Sequence, residues 1–305
     1  MTQHASHTSP ASHGCALCGG NDLVPLYHAL HRAIGYAFGR CRSCGLIQHV
    51  EKTGSFADAF YKNTYHDLPH KTDEPANRVA MFERILDHIE KRTGSGRLLD
   101  VGCGPGHFVA QACERGWNAE GLEPSTSAVE RGRARQGIAI YQGTLTGDHA
   151  LPGDLYNCVT FWNVIDQIYD PLETLVAARA HMVEGGIVAV RVPNGTVHHM
   201  LRAAVALAPG LARRFRLADM FSVHPYSFTA ETLRVLLDKA GYEDVEVRNS
   251  PLSGGDPSGR RSRPGAVLVS LMKSTAAGVA ALISGITGAR VLLAPSLIAV
   301  ARKPL

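Results

Sequence analysis

The chain has 305 residues, 45% of them hydrophobic and 19% charged, a length and composition that suit one α/β domain plus a smaller module and exclude wholesale disorder. Its formal net charge of +4 is spread along the sequence and makes nucleic acid an unlikely partner.

Residues 1–14 combine Ser, Thr, His and Pro without an apolar run, which predicts a flexible tail and no secretory signal. The expected compartment is the cytoplasm, where the seven cysteines serve as metal ligands or core groups rather than as a disulfide framework. Cys15-Ala16-Leu17-Cys18-Gly19 and Cys41-Arg42-Ser43-Cys44-Gly45 are two turns of identical spacing. Such turns bring four thiolates around one zinc ion, and the trailing glycines relieve crowding where the backbone bends. With no ligand position left over, this zinc is structural and stabilises a ribbon module, residues 15–60, too small to build its own core. Strand character falls at 23–27 and 36–38. Cys103, Cys113 and Cys158 sit in apolar contexts and are expected to be packing residues.

Residues 61–305 form the second domain. Val79, Phe82, Ile85, Leu86 and Ile89 recur at helical spacing and predict a helix over 77–91. An apolar strand then ends in Asp100-Val101-Gly102-Cys103-Gly104-Pro105-Gly106, where glycines at alternate positions let the backbone approach a ligand closely. Beyond it, helices are expected at 108–116, 125–136, 171–183 and 231–240, the second opened by a capping box at Ser127 and Glu130 or an adjacent variant and the third broken at Gly185-Gly186. Strands are expected at 117–123, 138–143, 155–162, 187–192, 242–247 and 297–301. This alternation predicts an α/β fold with a seven-stranded, mostly parallel sheet covered on both faces. Two insertions interrupt it. Residues 196–220 are apolar and basic, with His198 and His199 in what reads as a solvated turn; residues 250–289 join a Gly/Ser/Pro/Arg loop to an apolar helix over 266–287. The longest uncharged run there, 274–289, is shorter than the ~20 residues a bilayer crossing needs. Both insertions are candidates to cover an acceptor or to rest peripherally on the inner membrane surface.

The glycine turn selects a cofactor. A triphosphate-binding loop requires a following Lys, which is absent, and dinucleotide folds prefer G-x-G-x-x-G over the spacing Gly102-x-Gly104-x-Gly106. The turn resembles the first motif of class I S-adenosylmethionine-dependent methyltransferases. Glu123, closing the next strand, suits a bidentate acceptor for ribose hydroxyls. Residues 155–166 and 182–188 resemble the family's fourth strand and its Gly-Gly turn. The resemblance implies a Rossmann-like domain in which Asp100, Gly102, Gly104, Gly106 and Glu123 bind S-adenosylmethionine. Two departures stand out: Asp166-Gln167 replaces the Glu-His of many small-molecule members, and Gly143-Thr144-Leu145 lacks the usual acid.

Methyl transfer from a sulfonium is an in-line displacement that needs alignment and a base for the acceptor proton. A cysteine module preceding a methyltransferase domain resembles the sugar C-methyltransferases of deoxysugar pathways. That resemblance implies His224 as the base, within Val223-His224-Pro225-Tyr226-Ser227-Phe228-Thr229, and Tyr65, with Tyr61 as alternative, in the active site. Val223 stands where that family has a glutamate, and that family's long C-terminal domain is expected to have no counterpart here. The expected reaction is methylation of an oxygen or carbon of a small metabolite, glycan or lipid-linked intermediate. Two rival readings are an RNA methyltransferase that holds its substrate with the zinc ribbon, and a non-catalytic binding protein on a degenerate methyltransferase fold. Asp166-Gln167 and Val223 favour the last.

Overall fold

The computed structural model describes residues 14–31, 34–50, 76–148, 151–168, 170–207, 210, 224–251 and 278–305. Two sheets organise them. The larger has seven strands, β4 (Arg97–Val101), β5 (Asn118–Glu123), β6 (Ala139–Gln142), β7 (Tyr156–Trp162), β8 (Met182–Pro193), β10 (Glu243–Asn249) and β11 (Ser296–Arg302), in the order β10-β11-β8-β7-β4-β5-β6. The five strands from β8 to β6 run parallel, and β11 is antiparallel to both its neighbours. This is the expected Rossmann-like sheet.

Its strands are apolar on both faces because both faces are covered. Along β4, Leu98 joins one core with Phe82, Ile85, Leu86 and Ile89 of α1 (Ala76–Thr93) and Phe108 and Val109 of α2 (His107–Glu114). Leu99, one residue on, points the other way. It joins a core with Leu175 and Ala178 of α4 (Pro171–Ala180) and Leu233, Leu236 and Leu237 of α6 (Ala230–Lys239). In α1 the buried stripe includes Met81, whereas Val79 is exposed.

Several local expectations are corrected. The helix α3 (Thr126–Gln136) is capped by Ser125, whose hydroxyl accepts the Ala128 amide, so Ser127 and Glu130 form no capping box. The helix over 171–183 stops at Ala180, and β8 begins at Met182. Gly185, at φ +71°, lies where the β7–β8 pairing shifts register, so the Gly-Gly pair is a bulge inside a strand rather than a helix terminator. Of the helix expected over 266–287, only its end from 278 falls within the described residues, where the chain is helical.

The smaller sheet, in the order β1-β2-β3-β9, joins β1 (Leu23–His31), β2 (Ile34–Cys41) and β3 (Ile47–His49) of the cysteine module to β9 (Tyr226–Ser227), which lies far along the chain. Pairing is antiparallel throughout, with Ile47 opposite Ser227 and Gln48 opposite Tyr226. Cys15, Leu17, Cys41 and Leu46 bury into the same core as α4 and α6, and Lys239 Nζ donates to the Leu17 carbonyl at 2.9 Å. Among the described residues no helix is long and apolar enough to cross a membrane.

On the α1–α2 side, Glu90 accepts hydrogen bonds from Arg115 and from Trp117 Nε1. The Arg115 bond holds the Glu90 carboxyl below its ordinary value. A depressed folded-state pKa adds stability above the unfolded value and loses it as the pH falls through the folded one. Glu90→Gln is therefore expected to cost about 1 kcal/mol at neutral pH, with the gap to wild type closing in denaturation curves taken below the usual glutamate range.

Candidate active site

The glycine turn follows β4 at the carboxyl edge of the sheet. Gly102, Gly104 and Gly106 all have positive φ, at 69°, 56° and 77°. A Cβ on Gly102 would lie 2.5 Å from Val164 Cγ2, and one on Gly106 would lie 2.3 Å from Ile138 Cδ1, so neither position admits a side chain. Asp100 is fully buried below the turn, and its Oδ1 accepts the Thr160 hydroxyl at 2.7 Å. Burial pushes the Asp100 carboxyl well up. Glu123, also buried, accepts the Gly104 amide on Oε2 and the Ser125 amide on Oε1, both at 2.9 Å. One carboxylate thus ties the glycine turn to the start of α3. Burial raises this carboxyl too, and the two amides oppose the rise.

The next loop along the edge follows β7. Asn163 there adopts φ +56°, a left-handed conformation that asparagine tolerates better than most residues. The buried Arg191, on β8, donates to Asn163 Oδ1 at 2.7 Å, to Ser250 Oγ at 2.9 Å and to Ser296 Oγ at 3.1 Å. Burial lowers its guanidinium to about 10. This loop carries Asp166, 1% exposed, whose Oδ2 accepts a hydrogen bond from His224 Nδ1. The Asp166 carbonyl also accepts the Tyr226 amide at 3.2 Å, which fixes the His224 segment on both sides of Pro225.

The family resemblance implies His224 as the base and gives Asp166 no part. The only signal was an acid just beyond a strand end, and its partner lies 58 residues away. Tyr65, with its alternative Tyr61, and Val223 lie outside the described residues. His198 and His199, expected in a solvated turn, sit instead on α5 (Gly195–Ala206), half-buried in a cleft that also contains His224. Of the three packing cysteines, Cys103 and Cys158 are buried but Cys113 is exposed.

The four remaining cysteines converge. Their Sγ atoms lie within 4.8 Å of one another, with Cys15 to Cys44 at 3.4 Å and Cys18 to Cys41 at 3.5 Å. Sulfurs bound at ~2.3 Å in a tetrahedron stand about 3.8 Å apart, so the cluster suits a tetrahedral metal site. Burial raises the Cys15 and Cys44 thiols. At Cys41 burial is outweighed by hydrogen bonds from the Cys44 amide, the Cys18 thiol and the Ser43 amide, which bring it down to about 7. Gly19 and Gly45, at φ +74° and +78°, turn the two loops as their positions imply.

This arrangement, a Rossmann-like sheet with a glycine turn and a buried strand-end acid at its carboxyl edge, defines a nucleotide-cofactor domain. A model of the methyltransferase domain matches residues 70–247, more than half of the chain, which therefore belongs to that family. The ubiquinone biosynthesis O-methyltransferase of Cereibacter sphaeroides is 30% identical over 156 residues, 49% of this chain and 61% of that protein, so the chain matches less than two thirds of this curated relative's length. Among solved structures, an S-adenosylmethionine-dependent methyltransferase from Archaeoglobus fulgidus is 18% identical over 78% of this chain and all of its own, with a TM-score of 0.49. An amino pentose methyltransferase from Micromonospora echinaspora is 25% identical over 36% of this chain and 49% of its own, with a TM-score of 0.33.

His49, from β3, abuts this site: it stacks on Tyr36, meets Phe38 edge-on, and is 8% exposed with neither ring nitrogen hydrogen-bonded. Burial, followed by the proximity of His224, pushes it down to about 4. The unfolded chain takes up this proton first, so stability falls as the pH drops from about 6.5 to about 4. His49→Phe is expected to flatten that decline in acid denaturation curves, and the His49 ring resonances of the folded protein should stay unprotonated at pH 5.5.

Proposed function

We propose that this chain is an S-adenosylmethionine-dependent methyltransferase acting on an oxygen or carbon of a small metabolite, glycan or lipid-linked acceptor, with His224 as general base. The pairing of His224 with the buried Asp166 carries this reading. A lone carboxylate in the interior is costly, and a histidine is the partner that turns such a group to use in proton transfer. Asp166 also answers the departure at Val223, because an acid from the loop after β7 stands beside the histidine where the resembled family draws one from the preceding residue. The same pairing weakens the non-catalytic alternative, which rested on those two positions.

The glycine turn fits the cofactor on structural grounds: three glycines at positive φ leave the turn without side chains at the carboxyl edge of the sheet, and the acids that frame it come from two adjacent strand ends. Asp100, Gly102, Gly104, Gly106 and Glu123 would hold S-adenosylmethionine. A carboxylate oxygen accepts more than one hydrogen bond, so the amide contacts of Glu123 are compatible with ribose recognition. When bound, the cofactor supplies a methyl group activated by its sulfonium. The residues then do the rest. His224 Nδ1–H donates to Asp166, which sets the tautomer and leaves Nε2 as the proton acceptor for the acceptor hydroxyl or carbon acid. Zinc on Cys15, Cys18, Cys41 and Cys44 would lock the module that pairs with β9, a structural role like that expected from the two turns. The module joined to this domain supports the likeness to sugar C-methyltransferases, and the likeness to an O-methyltransferase supports oxygen as an acceptor atom.

The protein, incubated with S-adenosylmethionine and a panel of phenols and sugars, should yield S-adenosylhomocysteine and a product heavier by one methyl group. His224→Ala and Asp166→Asn should each lower turnover by roughly 10²- to 10⁴-fold, with S-adenosylhomocysteine affinity by calorimetry unchanged. Unchanged turnover in both variants rules out His224 as the base. Metal analysis should find one zinc per chain, lost when Cys15 and Cys41 are both replaced by Ser; native protein without zinc overturns the metal assignment.

A further inference from the structure

The register of the large sheet sets one side chain on each side of the glycine turn. Val101 pairs with Leu122 of β5 and with Phe161 of β7, so the next residue, Gly102, is flanked by Glu123 at the end of one neighbour and Trp162 at the end of the other. Side chains alternate between the faces of a sheet. Counting back by twos, Glu123 shares a face with Ala119, Trp162 with Cys158 and Asp100 with Leu98, and all three of those apolar residues belong to the core under α1 and α2. Glu123, Asp100 and Trp162 therefore stand on one face at the carboxyl edge. Trp162 packs there against Phe108 of α2 and Phe82 of α1, with ring centroids 4.8 Å and 6.0 Å away. Its Nε1–H is buried and has no hydrogen-bond partner. The chain's other indole, Trp117, donates to Glu90 at 3.0 Å. An indole nitrogen can only donate, and a buried donor left unsatisfied is costly, so Trp162 calls for an acceptor from outside the chain.

Neighbouring strands stand ~4.8 Å apart, which puts the ends of β5 and β7 about 10 Å from each other across the turn. A cofactor whose ribose lies at Glu123 bridges that gap with its amino-acid arm. Charge decides how the arm is oriented. Asp100 and Glu123 already crowd the near side with acid, and after burial itself the Glu123 charge helps to push the Asp100 carboxyl up. A further carboxylate is disfavoured there, while a sulfonium or an ammonium is attracted. The far side offers a donor that lacks an acceptor. We propose that Trp162 binds the α-carboxylate of S-adenosylmethionine through its indole N–H, holding the amino-acid end of the cofactor from β7 as Glu123 holds the ribose from β5. The proposal rests on the methyltransferase reading. It gives the loop after β7 two tasks, because Trp162 stands at its start and Asp166, the partner of His224, lies within it.

The test uses the full chain with zinc added and two ligands, S-adenosylhomocysteine and its decarboxylated analogue, which keeps the nucleoside, the thioether and the amine. In calorimetry the analogue should bind wild type about tenfold or more weakly. Trp162→Phe keeps a ring between Phe82 and Phe108 and removes the donor. It should weaken S-adenosylhomocysteine by a similar factor and leave the affinity for the analogue unchanged, which also reports an intact site. In nitrogen–proton correlation spectra of wild type, the two indole N–H resonances serve as probe and reference, that of Trp162 being the one that survives Trp117→Phe. It should move downfield with S-adenosylhomocysteine and stay near its free position with the analogue, while the Trp117 resonance stays in place with both. Equal binding of the two ligands by wild type, an S-adenosylhomocysteine affinity that survives Trp162→Phe, or a Trp162 resonance that responds alike to both ligands overturns the proposal; the last result means that water or the nucleoside meets the indole instead. Should Trp162→Phe lose both ligands through misfolding, the wild-type resonance decides alone. If wild type binds neither ligand, the methyltransferase reading falls and the proposal with it, whereas every other failure strikes the proposal only.

Discussion

The short antiparallel pairing of Tyr226–Ser227 with Ile47–Gln48 is the contact on which the rest of the site depends. It fastens a segment late in the chain to a sheet built near its beginning. His224 lies two residues before that strand, and the Pro225 carbonyl accepts the His49 amide at 2.9 Å, so the position of His224 is set by main-chain bonds to the cysteine module. A two-residue strand has little stability by itself. Its persistence requires that β3 be rigid, and β3 follows directly from the second cysteine turn.

Through that dependence a metal in the module would bear on the His224 segment without touching it. Cross-linking the four thiols would fix the two turns and with them β2 and β3, and the ladder would pass the constraint to the His224 segment. The module is also no detached appendage. Leu17 and Leu46 share the core of α4 and α6, and Lys239 caps a carbonyl of the first turn. The apolar surface that so small a ribbon cannot bury internally is buried against the larger sheet.

A second chain of constraint runs along the carboxyl edge. Glu123 holds Gly104, Val164 packs on Gly102, and Arg191 braces Asn163, so the turn after β4 and the loop after β7 cannot move independently. Both loops lie where parallel strands end and the backbone no longer has ladder partners. That edge is where α/β sheets present ligand-binding groups. A buried guanidinium bonded to an asparagine side chain and two serine hydroxyls is a costly way to hold a loop, and it places positive charge near Asp166.

Much of this was legible in the residues because it depends on local chemistry. The periodicity of Phe82, Ile85, Leu86 and Ile89 announces a helix, positive φ at alternate positions demands glycine, and paired Cys-x-x-Cys-Gly turns announce a tetrahedral site whatever surrounds them. The strand alternation likewise implied the sheet. Sequence spacing left the cap open between Ser127 and an adjacent residue, because Ser125 is equally suited and only the direction of the incoming strand chooses between them. It misread Gly185-Gly186, because a glycine pair ends a helix or bulges a strand according to its neighbours' pairing. It also took His198 and His199 for a solvated turn, because the wall they face is supplied by Tyr27 and Phe38, some 160 residues earlier. The sequence by itself determined the class of fold, the cofactor turn and the thiol cluster. Only the tertiary structure decided that Asp166 serves His224, that β9 belongs to the cysteine module's sheet, and that α5 faces the same cleft, since each of these is a meeting of groups with no relation in sequence.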